Sequence, residues 1–378
     1  MRVNIQAAGK FTAYHAARAA YARGTLNRLV TGRRRRDEAG VPFDLRRHIA
    51  WPSYLFYAMA TAPVLANRSV ASRIADEAFD RSAARRSEPV DVLHGFLAYS
   101  LHSLRAYRRL GAKILVDTGA AHIGVERELL QEEFNRFGEP QSPMDDAWVR
   151  KQEVEYEEAD IVVVPSMFVR DSLVSRGIPV TKIEIVRHGI DLQRFAYQPQ
   201  TVTDGPLRLV SVGAISFEKG VPYLLEACEE LEGRVTLTLI GKVFPEMRRM
   251  LGQTKAKFTH IPHVPNAELA SVLANHDAFV LASVQDGSAM AVTEAMAAGR
   301  PVIVSKSNGA QEFVNENAGV VVPSRSASAL VEAVEHLLVE RQRLPEMGAA
   351  ARDAVKDQTW QKYGNELAGV YERLSSSG

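Results

Sequence analysis

The chain has 378 residues, 46% of them hydrophobic and 24% charged, with a net charge of +1. Those are ordinary globular proportions, and they exclude a disordered or collagen-like chain. The length exceeds one ordinary core and points to two domains with a cleft between them. Cys228 is the one cysteine, which excludes internal disulfides and a cysteine metal cluster. With no secretory apolar segment behind Met1, the cytoplasm is the expected compartment.

Charge is unevenly spread: through Lys113 there are 20 Lys/Arg against 8 Asp/Glu, with Arg33 to Arg36 consecutive. A basic first half suits an anionic lipid surface, a phosphorylated carrier or nucleic acid, and equally a plain solvated face. MRVNIQA reads as a strand, and AGKFTAYHAARAAYARG as a glycine turn feeding an alanine-rich helix that ends at Gly24. This βα unit lacks the G-x-G-x-x-G spacing, so a nicotinamide enzyme loses its main support. His15 reads as a packing or capping residue. The apolar run from Trp51 to Ala66 is too short and proline-interrupted to span a bilayer. It reads as buried core, the alternative being a helix on a membrane surface or one closing the acceptor side of the cleft, with Arg46 and Arg47 just before it.

DVLHG and KILVD look like successive buried strands. In an open parallel sheet the ligand crevice lies beyond the carboxyl ends of the strands, where His94 and residues 118 to 122 fall. Asp145 and Asp146 precede a charged helical pattern and read as an N-cap and first-turn acid, not as a metal site. DIVVVPS and KIEIVRHGIDLQRF complete this half, and residues 196–208, rich in Pro, Gln, Thr and Gly, read as a linker.

LRLVSVGAISFEKGVPYLLEA restarts the βα pattern, without the G-K-[ST] of a P-loop. Strands follow in VTLTLIGK and HDAFVLAS. The stretch from Gln285 to Ser305, QDGSAMAVTEAMAAGRPVIVS, then places Asp286 and Glu294 around a small-residue turn and a short helix. Gly287, Ser288 and Ala289 allow a ligand to approach the backbone, and the free N–H groups of the helix beginning near Met290 favour an anion. The bland alternative is an acidic helix start with Glu294 solvated. Otherwise this is a site for something phosphorylated. The tail beyond residue 349 is helical.

That stretch resembles the E-x7-E element of the family-four retaining glycosyltransferases of GT-B architecture, with Asp286 and Glu294 in the two acidic positions and EAMAAGRPVIV almost unaltered. The resemblance covers nearly the whole chain and is strongest over residues 160–323. It implies an α/β fold of two Rossmann-like domains whose parallel sheets face each other across a cleft. The expected domains are 1–196 on the acceptor side, 207–356 for the nucleotide-sugar, and 357–378 as a helix crossing back to the first, anchored by Trp360 and Tyr363. By resemblance Glu294 holds the ribose, Asp286 the sugar and Lys219 the diphosphate, while His122 contacts the transferred sugar at the reacting centre. Gly213, Gly241, Lys242, His263, Val264, Gly287, Ser288, Ala289 and Met290 complete the donor side. Gly9, Lys10, His94 and Arg187 are expected on the acceptor side or cleft floor, with Lys10 and His15 in reach of an acceptor or the diphosphate, His188 where asparagine is usual and Glu312 approaching the cleft.

The departures are Asp for the first Glu, Ser-Ala for the commoner Phe-Gly at 288 and 289, and Ala214 where the family carries an arginine that grips the diphosphate. Lys10, Arg187 and Lys242 are the expected replacements. The implied activity is transfer of a sugar, with retention, from a nucleotide diphospho-sugar (UDP or GDP form) to a glycan, lipid-linked or small-molecule hydroxyl acceptor. No cofactor and no metal are implied. The alternatives are a nucleotide-sugar-binding subunit without turnover and a nucleotide-sugar epimerase. Nucleic acid is not an expected partner, whereas peripheral contact with the inner face of a membrane through the basic first domain is.

Overall fold

The computed structural model describes residues 1–9, 12–32, 40–61, 68–139 and 144–376. Arg33 to Arg36 and Lys10 therefore lie outside the described residues. The first sheet comprises β1 (Val3–Ala7), β2 (Leu26–Thr31), β3 (Arg46–His48), β4 (Val92–Phe96), β5 (Lys113–Asp117), β6 (Ile161–Val164) and β7 (Ile183–Ile185). The second comprises β8 (Leu207–Val212), β9 (Val235–Ile240), β10 (Phe258–Ile261), β11 (Ala278–Leu281), β12 (Val302–Ser305) and β13 (Gly319–Val322). Their orders are β3-β2-β1-β4-β5-β6-β7 and β10-β9-β8-β11-β12-β13. Every strand pair is parallel.

The pairing follows from composition. AFVL and VIVS are buried at every position, and strands apolar on both faces are stable only between two layers of helices. Each sheet is accordingly covered on both faces by separate apolar clusters. Parallel order forces the chain to reverse direction between β1 and β4, and between β8 and β11, and such reversals open a crevice at the strand ends.

The final helix, Trp360–Ser376, lies on the first domain against helix Ala13–Ala22, burying Tyr363, Leu367, Val370, Tyr371 and Leu374 in its core. Gly189 makes the crossing possible: a Cβ there would stand 2.3 Å from the Trp360 backbone nitrogen. The two domains meet through helix Ile123–Arg136. Phe134 and Phe137 pack on the ring of Phe217, and buried Glu133 accepts from the Tyr223 hydroxyl at 2.7 Å and pairs with Arg325 at 2.8 Å.

Two sequence expectations meet the structure differently. Asp145 is the expected N-cap, accepting from the Trp148 N–H at 2.9 Å. Residues 62–66 of the run beginning at Trp51 lie outside the described residues, and the described part is not core: helix Trp51–Thr61 leaves Trp51, Tyr54 and Tyr57 at 51%, 69% and 63% exposure. Its apolar residues surround the helix instead of forming one stripe, so one side of it faces out. No helix among the described residues is long and apolar enough to cross a membrane.

Candidate active site

The site is built at the carboxyl ends of β8 and β11. Gly220, at φ +65°, lets the turn after β8 touch the chain leaving β11, because a Cβ there would lie 1.8 Å from the Ala282 carbonyl oxygen. This contact carries Lys219 to Asp286. The ammonium donates to Asp286 Oδ2 at 2.7 Å and to Glu218 Oε1 at 3.1 Å. Burial alone would lower the Lys219 pKa, but the charges of Asp286 and Glu218 outweigh it and hold it above the ordinary lysine value.

Asp286 Oδ1 accepts from the Ala289 N–H at 2.7 Å and the Ser288 N–H at 3.3 Å, so the short carboxylate closes its own turn. Ala289 occupies the N-cap of helix Met290–Ala297 at φ +40°, with no side-chain cap. The first-turn N–H groups, with the positive end of the helix dipole, thus face the cleft. One turn on, burial raises the Glu294 carboxyl to about 7, Arg194 pulling the other way.

These groups line a cavity of about 580 Å³. The second domain contributes Gly213, Lys219, Asp286, Ser288, Ala289, Met290 and Glu294; Thr12, His15, Asp117, Gly119, His188 and Arg194 face them, with Trp360 from the final helix. Among the described lining residues, the lysine and arginine side chains are Lys219 and Arg194. Arg194 donates to the Asn266 carbonyl at 2.8 Å and lies over the Phe195 ring. Across from Lys219, burial reinforced by Glu218 and Asp286 raises Glu126 to about 8, against the pull of Lys219.

Other expected site residues are placed elsewhere. His122 is 4% exposed and caps helix Ile123–Arg136, its Nδ1 accepting from the Gly124 N–H at 3.1 Å while the ring stacks on Tyr156. Histidine ahead of a helix satisfies an orphan N–H, and the ring so held is not among the groups that line the cavity. His94 is fully buried beneath the cavity. Arg187 pairs with Glu312 at 2.7 Å, and Glu312 also accepts from the Met167 N–H, so the residues expected in the cleft form a bridge between the domains. Lys242 is exposed over the Phe244 ring and His263 is exposed, while Val264 packs partly into the core of the second domain. None of the three lines the cavity. Neither Arg187 nor Lys242 therefore stands in for the arginine absent at Ala214.

Three glycines have roles other than those expected. Gly241 lets two strand ends approach, since a Cβ there would fall 1.9 Å from the Gly213 carbonyl oxygen. At Gly287 a Cβ would lie 2.0 Å from the Gly119 carbonyl oxygen, so this position accommodates the first domain. Gly9 lines a separate pocket of about 520 Å³ against helix Trp51–Thr61. Arg194, Asn266, Asp117 and Glu126 were not read from the sequence as site residues. Asp117 was within reach, standing at the end of the strand KILVD.

Two parallel-sheet Rossmann-like domains with this cleft define a GT-B glycosyltransferase fold. Residues 11–194 match the family profile "Glycosyltransferase Family 4" and residues 193–354 match "Glycosyl transferases group 1". The chain belongs to the family-four glycosyltransferases. It is 30% identical over 225 residues to a GDP-mannose-dependent alpha-mannosyltransferase of Mycobacterium tuberculosis, a match covering 57% of each chain. The chain thus spans little more than half the length of that relative. Among solved structures it superposes on sucrose-phosphate synthase from Thermosynechococcus elongatus with a TM-score of 0.74, 19% identity and complete coverage of both chains. It superposes on Anabaena HepE in complex with UDP-glucose with a TM-score of 0.69 and 13% identity, covering 99% of this chain and 100% of that one.

Proposed function

We propose that this protein transfers a sugar from a nucleotide diphospho-sugar to a hydroxyl acceptor with retention of anomeric configuration. The observation that carries the reading is the convergence of an uncapped helix N-terminus, the Lys219 ammonium and the Glu294 carboxyl on one cavity between two domains. In this reading the first-turn N–H groups and Lys219 bind the diphosphate, and Glu294 accepts hydrogen bonds from the ribose hydroxyls. Asp286 stands between the diphosphate and the sugar.

Lys219 is already neutralised by two carboxylates, so an arriving diphosphate competes with Asp286 for the ammonium. Donor binding therefore frees Asp286 Oδ2 for a sugar hydroxyl. As the anomeric bond breaks, charge accumulates on the diphosphate, where preorganised donors act most strongly. Retention is taken from the family, whose reaction runs on one face of the sugar with the leaving diphosphate accepting the acceptor proton. Its relatives supply the donors to try: the named mycobacterial relative is GDP-mannose-dependent, and the Anabaena protein holds UDP-glucose. Calorimetric titration with UDP and GDP tests the reading directly. Saturable one-site binding of at least one is expected; failure of both to bind removes the proposal.

A further inference from the structure

Among the described residues, three buried polar atoms at or just beneath the cavity floor have no hydrogen bond: Asp117 Oδ2, His94 Nε2 and His188 Nδ1. Such orphans are rare, and leaving a buried carboxylate oxygen unbonded is costly. Two of them face each other, His94 Nε2 lying 3.4 Å from Asp117 Oδ2. The strands dictate this placement, because Asp117 ends β5 beside Phe96 of β4 while His94 stands two residues back on β4.

The final helix supplies a third member. Tyr371 and His94 Nδ1 are 2.6 Å apart. Burial holds the Tyr371 phenol well above its ordinary pKa, so it keeps its proton and donates it to Nδ1. The histidine proton is then on Nε2, facing Asp117. His188 is held by ring contacts to Trp360 and Tyr363, and burial lowers its pKa, which keeps the imidazole neutral. Asp117 and His188 both line the cavity, across from Lys219 and Asp286.

We propose that Asp117 and His188 form the acceptor subsite, taking the reacting hydroxyl and an adjacent hydroxyl of a neutral sugar, with His94 and Tyr371 as positioning residues for the carboxylate. This rests on the transfer reading above. A carboxylate and a neutral imidazole suit uncharged O–H groups and repel a phosphate or carboxylate at this point. Two hydrogen-bonding groups on one wall of the same cavity suit a diol better than a single alcohol. In the transfer step the acceptor oxygen forms the new bond to the anomeric carbon while the bond from that carbon to the diphosphate oxygen breaks. The hydroxyl proton passes to the leaving diphosphate, and Asp117 orients the O–H bond until then.

The test uses the full chain saturated with whichever of UDP or GDP binds, probed with methyl α-D-glucoside and methyl α-D-mannoside by ligand-observed NMR. At least one glycoside should bind, Asp117→Asn should weaken it tenfold or more, and nucleotide affinity should change less than threefold. His188→Asn should weaken the same glycoside by a smaller factor. On the wild-type protein, a monodeoxy analogue of the bound glycoside should lose a comparable factor, a result that does not depend on any variant folding. Tyr371→Phe should lower the turnover number for transfer to the glycoside while leaving its KM unchanged, which a purely structural phenol would not do. If neither glycoside binds the nucleotide-loaded protein, or if Asp117→Asn binds it as tightly, the subsite is refuted. Failure of wild type to bind UDP or GDP instead removes the underlying transfer reading.

Discussion

The two walls of the cavity are made differently. On the second domain, Asp286, Ser288, Ala289, Met290 and Glu294 come from one turn and one helix, joined by the single loop that carries Lys219. On the opposite wall, Thr12, Asp117, His188 and Trp360 come from four separated places in the chain. This wall, the donor wall of the proposed function, is thus a local structure that backbone hydrogen bonds hold together. The other wall exists only when the sheet order and the returning helix are complete, so the geometry at the reacting centre depends on long-range packing.

The largest effect expected is on the donor wall. Lys219→Ala removes an ammonium that joins Asp286 and Glu218, leaving two carboxylates facing the diphosphate without their counter-charge. Transfer, measured as nucleotide release in the presence of donor and acceptor, should fall by ~10²-fold or more, the scale associated with losing one preorganised donor. A loss below tenfold would move the phosphate grip to Arg194 and to groups outside the described residues.

A change at the seam should come next. Gly287→Ala forces a methyl against the Gly119 carbonyl and the Val169 side chain. The domains must separate there, and a misplacement of roughly 1 Å at a reacting centre costs up to about 10²-fold in rate. Turnover should fall more than nucleotide affinity, because the donor wall is intact. Equal losses in both would show that the wall itself has collapsed.

The same contrast explains what the sequence disclosed. That Asp286, Glu294, the start of helix Met290–Ala297 and Lys219 stand around one cavity was legible because each depends on neighbours within one turn or one loop. The alternation of strands and helices was legible too, since buried parallel strands are short apolar runs such as IVVV and VIVS. The opposite wall was much less so. His122 stands at the expected loop, but whether its ring enters the cleft or caps its own helix is decided by a 3.1 Å bond to Gly124, which composition does not show. Arg194 reaches the cavity because its turn lies against Asn266, 72 residues later in the chain. Asp117 meets His94, whose other ring nitrogen is held by Tyr371 of the final helix, a link between distant parts of the chain that no local pattern discloses.

Glu294→Gln should have a middling effect. The amide keeps the shape but loses a charged acceptor, so nucleotide affinity should fall about tenfold. Burial raises the carboxyl from 4.5 to about 7, and the proposed contact with the ribose requires the ionised form, so wild-type affinity should rise as pH increases through 7 and level off above it. That slope should vanish in the variant. The sign for the ligand-free protein is opposite: between 4.5 and 7 the folded state binds a proton that the unfolded chain has released, so this group's contribution to stability declines as pH rises. Affinity independent of pH in wild type would place the ribose elsewhere.

The smallest effect should be at Ala289, two residues from Gly287 but set wholly within the donor wall. Its φ of +40° is a left-handed conformation, which costs a residue with a Cβ about 1–2 kcal/mol that glycine escapes. Ala289→Gly recovers that strain, yet it loses a methyl packed in the core of the second domain, worth about 0.8 kcal/mol. It also adds backbone freedom to the unfolded chain, worth about 0.5–1 kcal/mol. The gains and losses are of equal size, so chemical denaturation should show a change below about 1 kcal/mol. The comparison with Gly287→Ala is the sharper for this: one position tolerates a side chain because the turn alone must accept it, the other refuses one because a second domain is pressed against it. A large loss of stability in Ala289→Gly would show that the methyl's packing, not the backbone, governs the turn; a large gain would show that the strain is stored uncompensated at the helix start, beside the N–H groups assigned to the diphosphate.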